Sequence, residues 1–255
     1  MMQLNGEMFR DMDNRRTLRF GLGGKRYFLK AHYGVGWREI FKNLLQLKLP
    51  VLGARNEWLA IRKLESLGVE TMRLVGCGQR GWNPARRESF VITEALEDTR
   101  SLEDFCADWE NTPPTTGRGI RLKRELLGRV ARVARLLHGS GMNHRDFYLC
   151  HFLLDCSVDV LQQPAAARHL WLIDLHRVQL RRRTPLRWMI KDIGGLYFSA
   201  MRIGLTRRDL FRFMQVYRGK PLRATLIEDA AFWERCRKRA CALYHSFYHE
   251  QPPVS

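Results

Sequence analysis

The sequence predicts an α+β fold in two lobes, a small antiparallel sheet lobe over residues 1–95 and a larger helical lobe over residues 96–255. Three observations carry that prediction. Up to Glu94 the chain reads as short alternations of apolar and polar residues broken by turn residues, with one helical stretch inserted. After Leu96 the apolar residues recur every three and four positions, and everything beyond Pro185 keeps that helical spacing. With 45% apolar and 27% charged residues, the chain has the composition of a folded domain and not of a disordered one.

The elements follow in order. Glu7–Met12, Thr17–Leu22 and Lys25–His32 read as strands. Gly23-Gly24 joins the last two, a pair suited to the positive φ of a tight hairpin. Phe28, Lys30 and His32 share one face of the third strand, where Lys30 is the odd cation. Gly34–Pro50 is a helix or an irregular basic insertion. A helix over Arg55–Leu67 follows, with Trp58, Ile61 and Leu64 at helical spacing, Glu57 on the same flank and Gly68 as its stop. Met72–Cys77 and Ser89–Glu94 are strands. Ser101 is placed to cap a short helix reaching Trp109, and Asn111–Gly119 is a loop by composition. The long helix from Arg121 carries Leu122, Leu126, Val130, Val133 and Leu137 on one stripe and stops at Gly139 and Gly141. Phe152–Leu154 and Leu170–Ile173 are short strands on either side of a polar excursion.

Charge narrows the partners. Lys and Arg number 44 against 26 Asp and Glu, a net +18, and Arg177–Arg223 holds 13 basic residues against only Asp192 and Asp209. A surface of this kind favours anionic partners: nucleic acid, nucleotide, phospholipid or an acidic glycan. No apolar run approaches the roughly 18 residues of a spanning helix, and the N-terminus has no apolar signal core, so spanning and exported classes are excluded. None of the six cysteines forms a CxxC pair; small buried hydrophobes without disulfide or structural metal are expected.

The chemistry concentrates in two segments. A long helix leads into His144-Arg145-Asp146, then a strand, then an apolar strand ending in Asp174, which is the order of a protein-kinase-like catalytic loop and metal-binding loop. The stretches ARNEWLAIRKL, NHRDFYLCHFLL, LIDLHR and KDIGGLYFSA bring the chain closer to one family. From about Thr17 to Tyr217 it resembles the lipopolysaccharide core heptose(I) kinases (RfaP/WaaP) of the protein-kinase-like superfamily. The resemblance implies a two-lobed protein-kinase-like fold and transfer of phosphate from ATP, with Mg²⁺, to the first heptose of the inner core, expected at its 4-hydroxyl.

Position by position, the resemblance makes Asp146 the catalytic aspartate that orients the acceptor hydroxyl and accepts its proton. It makes Asp174 the Mg²⁺ ligand, Lys30 the contact to the α/β-phosphates and Glu57 the helix partner that fixes Lys30. Glu94–Leu96 stands as the hinge, with Glu94 and Leu96 offering backbone groups to adenine. The chain also departs from ordinary protein kinases. His151 stands where most have the second metal-binding Asn, as it does in the heptose kinases; it is either a metal ligand or a buried, hydrogen-bonded histidine. Asp174-Leu175-His176 replaces DFG. GLGG at Gly21–Gly24 joins the second and third strands, so the phosphate-covering turn falls instead at Asp13–Arg16, where backbone amides with Asn14 and Arg15 are expected to act without a GxGxxG loop. Asp192 is expected to open the last family segment, either as a support of the catalytic loop or as a helix N-terminal carboxylate.

The implied partners are inner-core lipopolysaccharide, acyl carrier protein and the anionic inner face of the bacterial inner membrane, the last through Arg181–Arg183, Arg187, Arg202, Arg207 and Arg208. No nucleic-acid partner is expected. A cytoplasmic protein held peripherally at that membrane is the localisation this implies. Three other readings stay open on the residues alone: a kinase of the Kdo sugar in the same core, a protein-tyrosine kinase, and a non-enzymatic nucleic-acid-binding module using basic and aromatic residues.

Overall fold

The computed structural model describes residues 7–12, 15–34, 36–45 and 53–253. The chain divides into two compact units, the first running to Glu97 and including Asp174–Val178, the second made of Asp98–Ile173 and Gln179 onward. The whole is an α+β fold with a small sheet unit and a larger helical unit.

In the first unit, β1 (Glu7–Met12), β2 (Arg15–Leu22), β3 (Lys25–His32), β4 (Leu74–Arg80) and β5 (Glu88–Glu94) form one antiparallel sheet in the order β1-β2-β3-β5-β4. β2 starts two residues earlier than the alternation suggests, because its ladder to β3 continues through Arg16↔Ala31 to Arg15↔His32. Arg15 and Arg16 are therefore strand residues and not part of a turn; Asp13 and Asn14 lie outside the described residues. β4 is displaced too, starting at Leu74 and running past Cys77 to Arg80. Its pairing with β5 extends to Arg80↔Glu88, where the two side chains form an ion pair at 2.8 Å.

Helix α1 (Gly36–Leu45) accounts for the start of the basic insertion; residues 46–52 lie outside the described residues. Helix α2 (Arg55–Ser66) buries Glu57, Ala60, Ile61 and Leu64 against β4, β5 and the short 3₁₀ turn Leu175–Arg177. Ile61 and Leu64 are fully buried, each worth about 1.5–3 kcal/mol relative to exposure. Truncation of Ile61 to Ala would cost about 2–5 kcal/mol.

The second unit begins with β6 (Thr99–Ser101), a strand too short to stand out in the sequence, which pairs with β8 (Phe152–Asp155), itself paired with β9 (Leu170–Leu172). Ser101 caps α3 (Leu102–Phe105), its Oγ accepting from the Asp104 amide at 3.0 Å. Helix α4 (Gly117–Gly139) starts four residues earlier than Arg121, since Thr116 Oγ1 accepts from the Gly119 amide at 3.1 Å and so takes the cap. Leu122, Leu126, Val130 and Leu137 are buried, but Ala134 and not Val133 completes the inner stripe.

A two-residue ladder joins β7 (Met142–Asn143) to β10 (Gln179–Leu180). Gly141 just before it has φ +83°, and a Cβ there would fall 1.9 Å from the Arg181 carbonyl oxygen; the close crossing needs glycine. Helix α5 (Leu186–Ser199) is entered from Pro185, so Asp192 sits in its second turn and does not open it. α5 packs on α8 (Ala230–Tyr248), and at Gly195 an added Cβ would lie 3.1 Å from the Tyr148 ring and 3.3 Å from the Phe147 carbonyl oxygen. That absent side chain is what seats the Phe147-Tyr148 segment on α5.

Helix α6 (Arg207–Arg218) carries a Thr206/Asp209 capping box. Asp209 also takes the buried Lys123 ammonium at 3.0 Å, which pins α6 to α4. α7 (Leu222–Glu228) leads into α8. Of the six unbridged cysteines only Cys106 and Cys236 are buried, and burial raises both thiols to about 12, which leaves them unreactive at neutral pH. Among the described residues no helix is long and apolar enough to cross a membrane.

Candidate active site

The expected site residues fall into two groups, one in each unit. In the first, β3 presents Lys30 and α2 presents Glu57, and the Lys30 Nζ donates to Glu57 Oε1 at 2.5 Å. Glu57 is 1% exposed. Its second oxygen is buried with no hydrogen-bond partner among the described residues. A carboxylate in that position requires its cation, because removing one partner of a buried pair leaves an uncompensated charge. The ammonium has three N–H donors and among the described residues uses one, on Glu57, so the pair presents a fixed cation able to donate to an anion.

Arg15 and His32 lie across from each other at the end of the β2–β3 ladder. His32, 8% exposed, titrates at about 4, lowered first by burial and then by the Arg15 guanidinium, so the imidazole is neutral at pH 7. Its Nε2 is buried without a partner among the described residues. Asn14 lies outside the described residues.

At the end of β5, the Glu94 side chain pairs with Lys25 at 3.2 Å and Arg73 at 3.5 Å, and its amide donates to the Arg73 carbonyl. The Ala95 amide donates to Arg26. Leu96, half-buried, makes no backbone hydrogen bond among the described residues. The Glu94 carboxylate is thus committed within the unit, and the groups free to meet a ligand's edge are backbone ones at Leu96.

Asp174 holds a left-handed backbone, φ 59° and ψ 51°, uncommon for a residue with a side chain. Its Oδ1 takes a hydrogen bond from His176 Nδ1 at 2.6 Å, and the next residue, Leu175, is fully buried in the turn that packs on α2. A partly exposed carboxylate, oriented from one side, is a hard oxygen donor that fits Mg²⁺.

In the second unit the segment around Asp146 is fixed by its backbone. Asp192 Oδ2 accepts from the His144 amide at 2.6 Å and Oδ1 from the Arg145 amide at 2.9 Å. These two bonds hold Arg145 at φ +78°, a conformation that costs an L-residue on the order of 1 kcal/mol. Behind Asp192 stands a hydrogen-bonded relay with no local signature in the sequence. Buried Tyr217, its hydroxyl kept protonated by burial, donates to His138 Nδ1 at 2.8 Å, which leaves Nε2–H to donate to Asp192 Oδ2 at 3.3 Å. Tyr217 comes from α6, far along the chain, so no local pattern could have marked it.

His144, fully buried, donates from Nε2 to the Ile173 carbonyl at 3.0 Å, while the Ile173 amide donates to the His151 carbonyl at 3.0 Å. The residue preceding Asp174 is clamped on both sides. His151 donates from Nδ1 to the Asp146 carbonyl at 2.7 Å, which puts the ring's lone pair on Nε2, the tautomer able to ligate a metal. Asp146 itself is half-buried between these two fixed histidines.

The sheet unit with its strand-lysine/helix-glutamate pair, and the helical unit with a His-Arg-Asp loop held by a buried helix aspartate, define a protein-kinase-like phosphotransferase. Comparison with known proteins agrees. The model described as the lipopolysaccharide kinase (Kdo/WaaP) family matches residues 1–217. The lipopolysaccharide core heptose(I) kinase WaaP of Escherichia coli (strain K12) is 54% identical over 224 residues, covering 88% of this chain and 82% of its own. Its namesake from Pseudomonas aeruginosa is 49% identical over 241 residues, covering 94% and 87%. A solved structure described as WaaP in complex with acyl carrier protein aligns with a TM-score of 0.79 and 44% identity, covering 94% of this chain and 90% of that one. The chain belongs to the lipopolysaccharide kinase (Kdo/WaaP) family.

Proposed function

We propose that this protein transfers phosphate from ATP to the first heptose of the lipopolysaccharide inner core, at its 4-hydroxyl. The reaction class rests on the Asp192-fixed loop that carries Asp146. The choice of acceptor rests on similarity to relatives named as core heptose(I) kinases.

In this reading Lys30, oriented by Glu57, holds the α/β-phosphates, and Leu96 meets adenine through its backbone, with the Glu94 carbonyl beside it. Arg15 adds positive charge at the end of β2. Asp174 would hold Mg²⁺ through its carboxylate, and His151, with its lone pair on Nε2, is the other residue that could donate to the metal. When bound, Mg²⁺ supplies neutralisation of the charge that develops on the transferring phosphoryl group. Asp146 orients the heptose hydroxyl and takes its proton as the oxygen attacks the γ-phosphorus in line. Asp192 acts through the loop backbone and touches no reactant; it is a positioning residue.

We further propose that an acyl carrier protein docks on the helical unit. Support comes from the solved relative described in complex with one, and from an apolar cavity of about 400 Å³ lined by residues such as Leu126, Val130, Leu196, Met214 and Trp233, with Arg207 and Arg237 among its lining residues. A hydrocarbon chain fits the lining and an acidic carrier fits the cations. Retention of acyl-loaded and not of acyl-free carrier protein would support this; equal retention of both would remove the cavity from the reading.

The test of the reaction is transfer of label from γ-labelled ATP, with Mg²⁺, to lipopolysaccharide lacking inner-core phosphate, with Asp146→Ala run alongside. Label on heptose that vanishes in the variant is the expected result. Label on Kdo would reassign the acceptor, and equal transfer by the variant would remove Asp146 from the mechanism.

A further inference from the structure

Next to the loop that carries Asp146, four cations crowd one aromatic ring. The Trp188 indole lies 5.5 Å from the Arg145 guanidinium, 5.8 Å from Arg181, 5.6 Å from Arg187 and 4.5 Å from the Lys191 ammonium. The four arrive from three segments of one unit. Arg145 immediately precedes Asp146, Arg181 follows β10, and Arg187 and Lys191 flank Trp188 on α5. Four positive groups gathered from separate segments repel one another unless something offsets them.

Around Arg181, Arg187 and Lys191 the described residues offer little offset. Arg181 is held by two neutral oxygens, Asn143 Oδ1 at 2.6 Å and Gln179 Oε1 at 2.7 Å, and not by a carboxylate. Among the described residues Arg187 and Lys191 form no ion pair, and Arg239 adds a further positive charge near Lys191. The Asp192 carboxylate acts on Lys191, and its two oxygens already accept three hydrogen bonds from His144, Arg145 and His138. The crowding registers in the protons. Lys191 is lowered by partial burial and then by Arg239, Arg145 and Arg187, and Arg181 by partial burial and then by Arg187. The indole supplies a negative π-face that moderates the repulsion without neutralising it. Its Nε1–H is buried without a partner among the described residues, so the ring serves through its face.

We propose that Arg145, Arg181, Arg187 and Lys191, arranged around Trp188, form a subsite for a carboxylate-bearing sugar of the acceptor, which positions the neighbouring hydroxyl for Asp146. This rests on the kinase reading above and adds the part of the acceptor that is recognised. Carboxylate is the chemistry chosen because three of the four cations are guanidinium groups, whose planar fork suits a planar anion. Guanidinium forks match that group in two hydrogen bonds, and Arg145 ties the subsite to the residue next to the proton acceptor. Arg181 and Arg187 thereby serve the acceptor and not the membrane surface suggested by the charge run.

The test uses the full chain with Arg187→Gln/Lys191→Gln, two exposed positions whose loss leaves the core intact, and Arg223→Gln, an exposed arginine on α7, as a charge control. Two probes are compared by calorimetry: deacylated, phosphate-free inner-core oligosaccharide, and the same oligosaccharide with its carboxyl groups reduced to alcohols. The expected result is binding of the first probe weakened roughly tenfold or more in the double variant, unchanged in the control, with wild type and double variant binding the reduced probe alike. In turnover the acceptor KM rises by the same factor while the KM for ATP stays put.

Undiminished binding of the carboxylate probe by the double variant would overturn the proposal. So would an equal loss for both probes, which would mark a structural role. So would a wild type that does not bind the first probe at all. Loss of binding to anionic vesicles with unchanged oligosaccharide affinity would assign the cluster to lipid headgroups instead. Carboxylate-dependent binding without any transfer would leave this subsite standing and refute the heptose kinase reading alone.

Discussion

Replacing Asp192 tests the architecture of the catalytic loop most directly. In Asp192→Ala the amides of His144 and Arg145 lose their acceptor, in a place where His144 is wholly buried and water cannot substitute. Each buried donor left unpaired costs about 1–3 kcal/mol, and the lost bond from His138 adds to the sum, so the helical unit should lose about 4 kcal/mol. At roughly 2–4 °C per kcal/mol for a chain of this size, the thermal transition drops by about 10 °C. The sharper comparison is Asp192→Asn. An amide has one acceptor oxygen and one donor nitrogen, yet both Asp192 oxygens accept backbone N–H groups, so the Asn nitrogen must face a donor. At least half of the Ala effect should therefore remain, and kcat should fall about 100-fold as Asp146 loses its fixed position. Calorimetric melting and steady-state kinetics on both variants measure this. An Asn variant melting within about 2 °C of wild type, with kcat within twofold, would show that Asp192 is an ordinary helix carboxylate and refute the reasoning.

Three further outcomes are expected. Lys30→Met strands the buried Glu57 carboxylate and should cost about 3–5 kcal/mol in denaturant unfolding as well as raising the KM for ATP, whereas Lys30→Met combined with Glu57→Gln should recover much of the stability and none of the ATP affinity. Recovery of both would place the pair outside nucleotide binding. His32, near 4 when folded against an ordinary 6.5, takes up its proton in the unfolded chain first. Stability is then full above pH 6.5 and falls as the pH drops from 6.5 to 4, by about 3 kcal/mol in all, and His32→Leu should flatten that slope in urea titrations. At low salt the protein should co-sediment with anionic and not with neutral vesicles, through exposed residues such as Arg182, Arg183, Arg202 and Arg208; equal sedimentation with both would remove the membrane surface as a partner.

Much of this protein was legible in its order of residues. Turn glycines, strand alternation and helical spacing are local signals, and they located β1, the hairpin from β2 to β3, α2 and the helical character beyond Pro185, though not the separate bounds of α5 to α8. The run His144-Arg145-Asp146, then Asp174, with Lys30 and Glu57 upstream, is likewise readable because the residue types and their sequence order carry the resemblance. Elements shorter than a period were not legible: β6, β7 and β10 exist only because a distant segment supplies their ladder. The start of β2 lies outside the alternation for the same reason, since Arg15 is a strand residue only by virtue of His32 across from it.

What only the tertiary structure decided is which polar groups meet. Lys30 and Glu57 are separated by a basic insertion, and their ion pair depends on α2 packing its buried face against the sheet. Asp192 could have been a helix-end carboxylate by sequence; its place in the second turn of α5, with Tyr217 and His138 behind it, made it the anchor of the catalytic loop. The cations around Trp188 read in one dimension as a diffuse basic stretch suited to any anion. Charge interactions fall off with distance and not with separation along the chain, so their convergence on one ring beside Asp146 emerges only from the fold.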